Sequence, residues 1–484
     1  MDFLAHLLPA GIAAHAPVLL VVIPLILAPI AALMPSGRIA WAISLIAAFL
    51  VALLALVLLG EVSQAGSVSY HLGGWAPPLG IEYRVDALNV PILLLVGFVG
   101  LLCTIYALPS VADEIEPGKQ PMFYSNVFVF LEVSSLSTYA LVAMGGGKDR
   151  RALTASYNYL ILGTIGATFF VIGVGFLYMA TGTLNMVDIA RVLAENGHNR
   201  AFAFIVVGLG LKAAMFPLHV WLPNAYAFAP NFVTAFLAST ATKVAFYVLI
   251  RFLFSIFHPE VTFVAASFIW IFAVLGTVGM IVASAQAIFQ TDPRRVLAYS
   301  SVAQVGYMML GLGMGTKAGL SAGMLHLMNH AMMKGALFMA LGAFALKFGV
   351  RSISSLNGLG RTMPVSASAF TISGLSLVGV PLTVGFTSKW YLILAALDRD
   401  WWWAVAALIA SSLLALVYVG RMLMAIWMEE PPTHQGKAVA ASMAPWAVVV
   451  PMSILALANV YFFFNADPLV YLANAAAEAV MGGR

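Results

Sequence analysis

Charged side chains are scarce in this chain: Asp, Glu, Lys and Arg make up only 9% of its 484 residues. Cysteine is nearly absent, because Cys103 is the only one, and this excludes an internal disulfide, an iron–sulfur cluster and a cysteine-ligated metal site. No CxxCH motif occurs and no GxGxxG motif follows a strand pattern, so the sequence predicts no bound cofactor. The longest polar stretches, near 61–86 and 181–201, are too short to form a water-soluble domain.

Apolar residues dominate instead: 62% of the chain is hydrophobic, and its mean hydropathy is +0.98. A membrane-crossing helix needs about 20 such residues, so the chain has room for roughly a dozen or more crossings. We expect about thirteen, in the apolar runs 16–35, 38–60, 87–108, 123–144, 157–180, 202–221, 232–256, 262–286, 296–314, 319–346, 365–396, 402–427 and 442–464. The predicted fold is therefore an all-α polytopic membrane protein with about 13–14 transmembrane helices.

Short loops rich in Lys and Arg favour the cytoplasmic side of a membrane. By the helix count, most basic loop residues share one face: Lys148, Arg150, Arg151, Arg294, Arg295, Lys347, Arg351, Arg361, Arg421 and Lys437. The opposite face is expected to carry Arg191, Arg200, Arg251, Lys317 and Arg399. The net charge of +4 therefore reflects orientation in a membrane, predicted to be the bacterial inner (plasma) membrane, and does not indicate nucleic-acid binding.

Five charged residues and two histidines fall inside runs that otherwise predict membrane crossings: Glu132, Lys212, Lys243, Lys334, Lys389, His326 and His330. A charged side chain near the bilayer centre costs on the order of 2.5–3.5 kcal/mol on insertion scales. Such residues usually face one another or a wet cavity and relay protons or ions. Their spread over most of the chain indicates an ion path.

Two of the runs are interrupted by proline. Pro217 follows Lys212 by five residues, and Pro381 and Gly385 precede Lys389. A proline within a helix removes a backbone hydrogen bond and breaks the helix, which a membrane tolerates only beside protein or water. Matching broken segments in two halves of a transporter predict inverted repeats with a site near the midplane.

The chain resembles a known family, the antiporter-like proton-channel subunits shared by respiratory complex I and the Mrp-type multisubunit Na+/H+ antiporters. Four stretches carry the resemblance, in order along the chain: FLEVSSLSTYAL; GLKAAMFPLHVWLPNAYAFAP with ATKVAFY; TDPRRVLAYSSVAQVGY leading into LHLMNHAMMKGALFMALG; and GVPLTVGFTSKWYL. Together they span roughly residues 121 to 396. Several motifs in the right order make the resemblance specific.

The resemblance implies a role for each intramembrane residue. Glu132 matches the family's glutamate of the fifth helix, Lys212 the channel lysine of the broken seventh, and Lys243 the lysine of the eighth. The family's eleventh helix would carry the two histidines and Lys334, and its broken twelfth helix would carry Lys389. In the family these positions form a polar axis with proton half-channels opening to either side. A lysine at 389 resembles the D-type member of the Mrp antiporters and differs from the complex I subunit that carries a glutamate there.

One departure from the family concerns the segment before Glu132. Family members usually carry a full fourth helix there, whereas here the polar stretch PSVADEIEPGKQP is followed within about ten residues by Glu132. Loss of that helix would reverse the first three crossings or make one segment re-entrant.

The chemistry of the axis also follows from the residue types. Burial favours the neutral form of a lysine and a nearby carboxylate favours its charged form, so a Glu132–Lys212 pair whose separation changes is a proton switch. His326, His330 and Lys334 are spaced i, i+4, i+8 and share one helix face, where histidine can relay protons. The histidine pair alone suggests a metal site, but no third ligand is evident, so none is predicted.

Other polar and aromatic residues are assigned a place in the membrane or in a loop, and some also have an alternative role. His219 and Trp221 beyond Pro217 are expected at the membrane interface, with His219 also open as a relay. Asp292, Arg294 and Arg295 are expected to form a solvated loop, and the run WWW at 401–403 an interfacial aromatic belt. Four residues are expected to be ordinary packing, with water-holding as the alternative: Tyr157, Tyr299, Gln304 and Tyr307.

We divide the chain into four parts: N-terminal helices at 1–110, a first repeat at 121–256 broken near Pro217, a second at 262–427 broken near Pro381, and a C-terminal helix and tail at 442–484. The predicted function is a proton-translocating subunit of a multisubunit cation/proton antiporter or an NADH-dehydrogenase-like complex. Its partners would be other membrane subunits, lipid and protons, with Na+ left open. Two alternatives remain: a membrane anchor or quinone-site subunit of a redox enzyme, and a membrane partner of an inorganic-carbon uptake system. Enzyme activity would belong only to a complex I-like parent, as part of an NADH:quinone oxidoreductase.

Overall fold

The structure is a computed structural model that describes residues 4, 7–77, 79–132, 134–196, 201–257, 263–430 and 443–482. Within these ranges it consists of α-helices, a few short 3-10 turns and one two-stranded sheet. The side chains of a few further residues, at 10, 128–135, 196 and 263–268, lie outside the description.

The N-terminal half contains, in chain order, α1 Ala10–Ala13, α2 Ala16–Ala32, α3 Gly37–Ala65, β1 Ser67–His71, β2 Glu82–Asp86, α4 Val90–Glu114, α5 Gln120–Glu132, α6 Ser134–Ala143, α7 Arg151–Thr181, α8 Met186–Asn196, α9 Ala201–Lys212, α10 Trp221–Phe228 and α11 Asn231–Ser255. The C-terminal half continues with α12 Phe263–Ile288, α13 Pro293–Gly313, α14 Lys317–Phe348, α15 Leu359–Thr362, α16 Pro364–Val378, α17 Val384–Leu397, α18 Trp402–Trp427, α19 Trp446–Phe464 and α20 Asp467–Met481. The antiparallel strands pair Ser67 with Asp86 and His71 with Glu82.

Nine helices in the described ranges are long and apolar enough to cross a membrane, judged by length and composition: α3, α4, α7, α11, α12, α13, α14, α18 and α19. The chain is therefore the polytopic all-α membrane protein that its composition predicted. Four shorter apolar helices, α2, α9, α16 and α17, add to these. With 12 residues in α9 and 14 in α17, each is about 20 Å long, so it crosses about two thirds of a 30 Å hydrocarbon core by itself.

The two ends of the bundle are fixed by contacts between distant segments. We call the end that carries β1 and β2 the strand face; there His15 lies 3.1 Å from the Tyr70 hydroxyl, at the start of α2. We call the other end the basic face, because several of the predicted loop residues line one cavity there: Lys148, Arg151, Arg294, Arg295 and Arg351. The predicted grouping of these loop residues is thus confirmed, while Arg200 and Lys437 lie outside the described residues.

The predicted crossing at 123–144 is wrong. The chain here forms two short helices, α5 with 13 residues and α6 with 10, about 20 and 15 Å long. Gln120 at the start of α5 donates to the Ile115 carbonyl just after α4, and Lys148, beyond α6, pairs with Asp113 in the last turn of α4. Since both outer ends lie at the basic face, the segment enters the bundle and returns.

This half-length helix pair decides between the two possibilities that the missing fourth helix left open. The segment is re-entrant, so it adds no net crossing between α4 and α7. The family's full fourth and fifth helices would also add no net crossing, because the chain returns to the same face after two crossings. The first three crossings therefore keep the orientation implied by the family pattern.

The most buried of the nine helices is α13, at the centre of the bundle, whereas α7 lies at its edge. In the most apolar stretch of α13, 94% of the residues are buried, against 17% in α7. A Cβ on Gly276 of α12 or on Gly306 of α13 would collide with the other helix's backbone. Glycine at both positions thus lets α12 and α13 approach closely, which leaves α14 enclosed by protein.

The ion pair between Arg251 and Asp86 joins the end of α11 to the strand face, with N–O distances of 2.8 and 2.6 Å. Both side chains are less than a fifth exposed, so removing one partner leaves a largely buried charge. We expect Arg251→Met to lower the free energy of unfolding by about 3 kcal/mol. Thermal melting of the detergent-solubilised protein measures the change, with Arg191→Met, in an exposed pair, as the control. Equal melting of the two variants would contradict the expectation.

Candidate functional site

Both predicted helix breaks are present. Helix α9 ends at Lys212 and α10 begins at Trp221, with Pro217 in the non-helical stretch between them. Helix α16 ends at Val378 and α17 begins at Val384, with Pro381 between them. Gly385, predicted to belong to the break, lies in the first turn of α17 instead. The two broken crossings run in opposite directions, the first towards the basic face and the second away from it, as inverted repeats require.

Lys389 of α17 caps the broken end of α16. Its ammonium donates to the carbonyls of Leu377 (3.1 Å) and Val378 (2.8 Å) and to the Ser412 hydroxyl (3.0 Å). The last carbonyls of a helix lack intrahelical partners and carry the negative end of its dipole, so a cation is favourable there. The same ammonium lies 4.7 Å from the centre of the Tyr307 ring.

Lys212 is the last residue of α9, so the first break also places a lysine at the C-terminal end of a half-helix. Trp221 donates from its indole N–H to the Leu211 carbonyl (2.9 Å) and stacks on Tyr159 with ring centres 4.2 Å apart. Lys212, Tyr159 and Tyr139 line a cavity of about 220 Å³ on the side of the bundle, where Lys212 is exposed in the isolated chain.

The predicted interfacial position of Trp221 and His219 is wrong. Trp221 is 2% exposed and His219 is 6% exposed, and both are enclosed by protein. The His219 ring stacks on Phe216 at 5.4 Å and meets Tyr299 edge-on at 6.4 Å. Sequence could not separate these cases, because a residue beyond a mid-membrane break and one at an interface have the same apolar neighbours. The relay role of His219 stays a prediction.

His326, His330 and Lys334 lie on one face of α14, and all three are fully buried. His326 has its Nδ1 2.9 Å from the Ser388 hydroxyl and its Nε2 2.8 Å from Gln304 Oε1. The two histidine rings are nearly parallel, with centres 6.3 Å apart.

Lys334 is held at the other end of this row by α13. Its ammonium donates to the Leu297 carbonyl (2.6 Å) and to the Ser300 hydroxyl (2.5 Å). Both acceptors belong to the most buried helix of the bundle, so the lysine has polar partners without reaching either face.

The His326, His330 and Lys334 side chains on α14 connect to Lys389 through side chains that the sequence predicted to be packing residues. Tyr307 stacks on His326 at 5.3 Å, and its hydroxyl lies 3.3 Å from that of Ser412, which accepts from Lys389. Tyr307 and Gln304 thus belong to the polar site, whereas Tyr157 is 61% exposed on the outer surface. We call the connected set from Lys389 through Tyr307, His326 and His330 to Lys334 the polar chain.

Lys243 of α11 extends the set towards the N-terminal half of the chain. It is fully buried and its ammonium donates to the Ala238 carbonyl. Its charge and that of Lys334 both act on His330. Among the described residues, the two ring nitrogens of His330 have no hydrogen-bond partner, and the same is true of the Thr242 hydroxyl. Glu132 ends α5, and its side chain lies outside the described residues.

A charged cavity of about 360 Å³ opens at the basic face, and we call it the vestibule. No sequence pattern predicted it. Glu114, at the end of α4, accepts from the backbone N–H (2.8 Å) and the side-chain amide (2.7 Å) of Asn231 and so caps α11. Arg294 donates to the same amide of Asn231 (2.5 Å). Arg294, expected in a solvated loop, thus joins Glu114 and Asn231 in the lining of the vestibule.

Other charges surround the mouth of the vestibule. Hydrogen bonds from Arg151 lower the pKa of Asp149 to about 2, so this carboxylate is charged at any physiological pH. Burial raises the pKa of Asp292, which caps the start of α13 by accepting from the Arg294 N–H (2.8 Å). The cavity is thus lined by both signs of charge, and this favours water over a single kind of counter-ion.

A helical bundle with lysines inside two broken crossings is typical of membrane subunits that move ions. Residues 124–415 match the family described as NADH:quinone oxidoreductase/Mrp antiporter, transmembrane. The chain belongs to this family.

Relatives come from both branches of the family. The N subunit of the NADH-quinone oxidoreductase of Desulforudis audaxviator is 40% identical over 436 residues, which cover 85% of this chain and 86% of the relative. The D subunit of the Na+/H+ antiporter of Alkalihalophilus pseudofirmus is 30% identical over 457 residues, covering 89% of each.

Solved structures of large membrane complexes contain the same fold. One chain of the Mrp complex from Dietzia sp. superposes with a TM-score of 0.86 at 24% identity, covering 97% of both chains. One chain of an archaeal membrane-bound sulfane sulfur reductase gives 0.84 at 28% identity, covering 96% of this chain and 97% of the other. One chain of respiratory complex I from Thermus thermophilus gives 0.71 at 24% identity, covering 95% and 100%.

Proposed function

We propose that this chain is a proton-translocating, antiporter-like subunit of a multisubunit membrane complex. The observation that carries the proposal is the polar chain: five titratable groups from Lys389 to Lys334 that follow one another through the most buried part of the bundle, with side-chain contacts from Lys389 as far as His330. Ionisable groups in such positions serve ion or proton movement more often than packing.

Proton movement along the polar chain would pass through its histidines. The Gln304 amide oxygen can only accept, so His326 donates to it from Nε2, and its Nδ1, which faces the Ser388 hydroxyl, is the ring nitrogen able to take up a further proton. Buried polar atoms nearly always bond protein or water, so the free ring nitrogens of His330 support a water-bridged step between His326 and Lys334.

The lysines at the two breaks are the sites where proton movement and helix geometry are linked. Loss of the proton from Lys389 removes the cation that neutralises the Leu377 and Val378 carbonyls at the end of α16. The break therefore provides a structural response to protonation. Lys212 ends α9 in the same manner, and pairing with Glu132 is the proposed switch at that site.

The relatives' names suggest two parent assemblies, a Na+/H+ antiporter and an NADH-quinone oxidoreductase. The chain's partners are then other membrane subunits, and its location the bacterial inner membrane with the basic face in the cytoplasm. The lysine at position 389 favours an Mrp D-type subunit through the resemblance stated above. The titratable groups of the polar chain are lysines, histidines and a tyrosine, which exchange protons, so we assign it protons.

Proton flux into proteoliposomes that contain the assembled complex tests the proposal. We expect Lys212→Ala and Lys334→Ala each to lower the flux about tenfold or more while the complex stays assembled. Lys317→Ala, a lysine at the strand face paired with Glu478, is the matched control and should leave the flux unchanged. Unchanged flux in the Lys212 and Lys334 variants would make these lysines structural and favour a membrane-anchor role.

A further inference from the structure

The polar row on α14 continues towards the basic face beyond Lys334. Counting every fourth residue from His330, the same strip of the helix presents Lys334, Phe338 and Gly342. Farther along α14, Ala345 lines the vestibule. Since Gly342 has no side chain, Phe338 is the one bulky apolar group on this strip between the last lysine of the polar chain and the vestibule.

Phe338 is held between Lys334 and a tyrosine from the first repeat. The Lys334 ammonium lies 5.8 Å from the centre of the Phe338 ring. On the other side, Tyr226 meets Phe338 edge-on with ring centres 5.8 Å apart and an interplanar angle of 89°. Both rings are buried, and the Tyr226 hydroxyl donates to the Leu237 carbonyl (3.2 Å), which fixes its orientation.

The vestibule reaches the far side of these rings. Ala227, the residue after Tyr226, lines the vestibule, as does Asn231. A Cβ added to Gly342, one turn beyond Phe338, would collide with the Tyr106 hydroxyl and meet the Asn231 side chain at 3.1 Å, so the Tyr106 ring also lies beyond Phe338. On α13, the Leu297 carbonyl that binds Lys334 belongs to the turn that follows Arg294, another vestibule residue. Within the described part of the chain, the rings of Phe338 and Tyr226, with Tyr106 beyond them, thus separate the polar chain from the charged cavity.

We propose that the vestibule is the aqueous port of the polar chain at the basic face, and that Phe338 packed against Tyr226 is the barrier between its water and Lys334. This inference rests on the proposed proton-translocating function. An apolar constriction excludes water, and without water or polar side chains a proton has no route across it. Displacement of the Phe338 ring would connect Lys334 to the vestibule, whereas its return would prevent a leak.

The test measures water access directly and needs no proton transport. Since Cys103 is the only cysteine, Cys103→Ala gives a background in which Ser300→Cys places one thiol beside the Lys334 ammonium. Silver ion, a small cation that reacts with hydrated thiols, is added to the assembled complex from the basic face. The rate of reaction is then obtained from the fraction of this thiol still open to alkylation after denaturation.

Phe338→Ala in this background is expected to raise the reaction rate about tenfold or more, because the ring no longer excludes water. Phe344→Ala, which removes an equally buried ring on the same helix, controls for a general loosening of the bundle. If Phe338→Ala does not assemble, Phe338→Leu, which keeps an apolar side chain but removes the ring, is expected to give a smaller increase in the same direction.

Equal rates in the Phe338 and Phe344 variants, whether both low or both raised, would overturn the assignment of the barrier. The outcome is separable from that of the proposed function. A rate that responds to Phe338 together with flux that does not depend on Lys334 would establish the port and refute proton transport. A rate that does not respond to Phe338, together with flux that depends on Lys334, would leave the proton path in place and refute the port.

Discussion

Replacing Lys389 by arginine is expected to leave the complex assembled and to lower proton flux about a hundredfold, equivalent to about 2.7 kcal/mol in the barrier. A guanidinium is always charged in proteins, so it keeps its proton at every step. Its N–H groups still donate to the Leu377 and Val378 carbonyls, so the cap on α16 is retained. The variant therefore separates the charge of this residue from its ability to exchange a proton.

Two further variants make the Lys389 result decisive. Lys389→Met removes the cap, leaves two buried carbonyls without that partner, and should lower the stability of the complex by about 1–3 kcal/mol as well as the flux. Lys317→Arg, at the exposed strand face, is the control for the exchange of lysine for arginine and should have no effect. Full flux in Lys389→Arg would show that the ammonium serves only to stabilise the break.

The parts of the site that sequence predicted are those with a local cause. A proline inside an apolar run breaks the helix wherever the helix is, so the breaks near Pro217 and Pro381 could be placed to within a few residues. The spacing of His326, His330 and Lys334 fixes their shared face in any α-helix. Roles that depend on neighbours were out of reach: Gln304 and Tyr307 have ordinary sequence surroundings, yet they contact His326.

One predicted crossing was wrong. This error, like the missed roles of Gln304 and Tyr307, arises from contacts between residues that are distant in the sequence. The run 123–144 is as long and apolar as a crossing, and only the pairing of Asp113 with Lys148 shows that it returns to the basic face. Glu114 likewise lies in a polar stretch typical of a solvated loop, and its role as the cap of α11 depends on a residue more than a hundred positions away. Composition and periodicity decide which segments are helices, whereas contacts between distant segments decide which of them cross.

Replacing His330 by leucine is expected to reduce proton flux about tenfold or more, to the level of Lys334→Ala. His330 is fully buried between His326 and Lys334, and its ring nitrogens have no partner among the described protein atoms. Leucine is close to histidine in size, so it fills the position but offers water no polar atom, and the link between the two neighbours is lost. Met333→Leu, at a buried position next to Lys334, is the control and should leave the flux unchanged.

A third substitution at His330 distinguishes two ways in which the residue could act. His330→Gln keeps a polar group that can hold water but cannot take up a proton near neutral pH. If His330 carries the proton itself, the glutamine variant should be as inactive as the leucine variant. If it only orders a water between His326 and Lys334, glutamine should restore most of the flux. Wild-type flux in His330→Leu would contradict both expectations and show that the protons do not pass through His330.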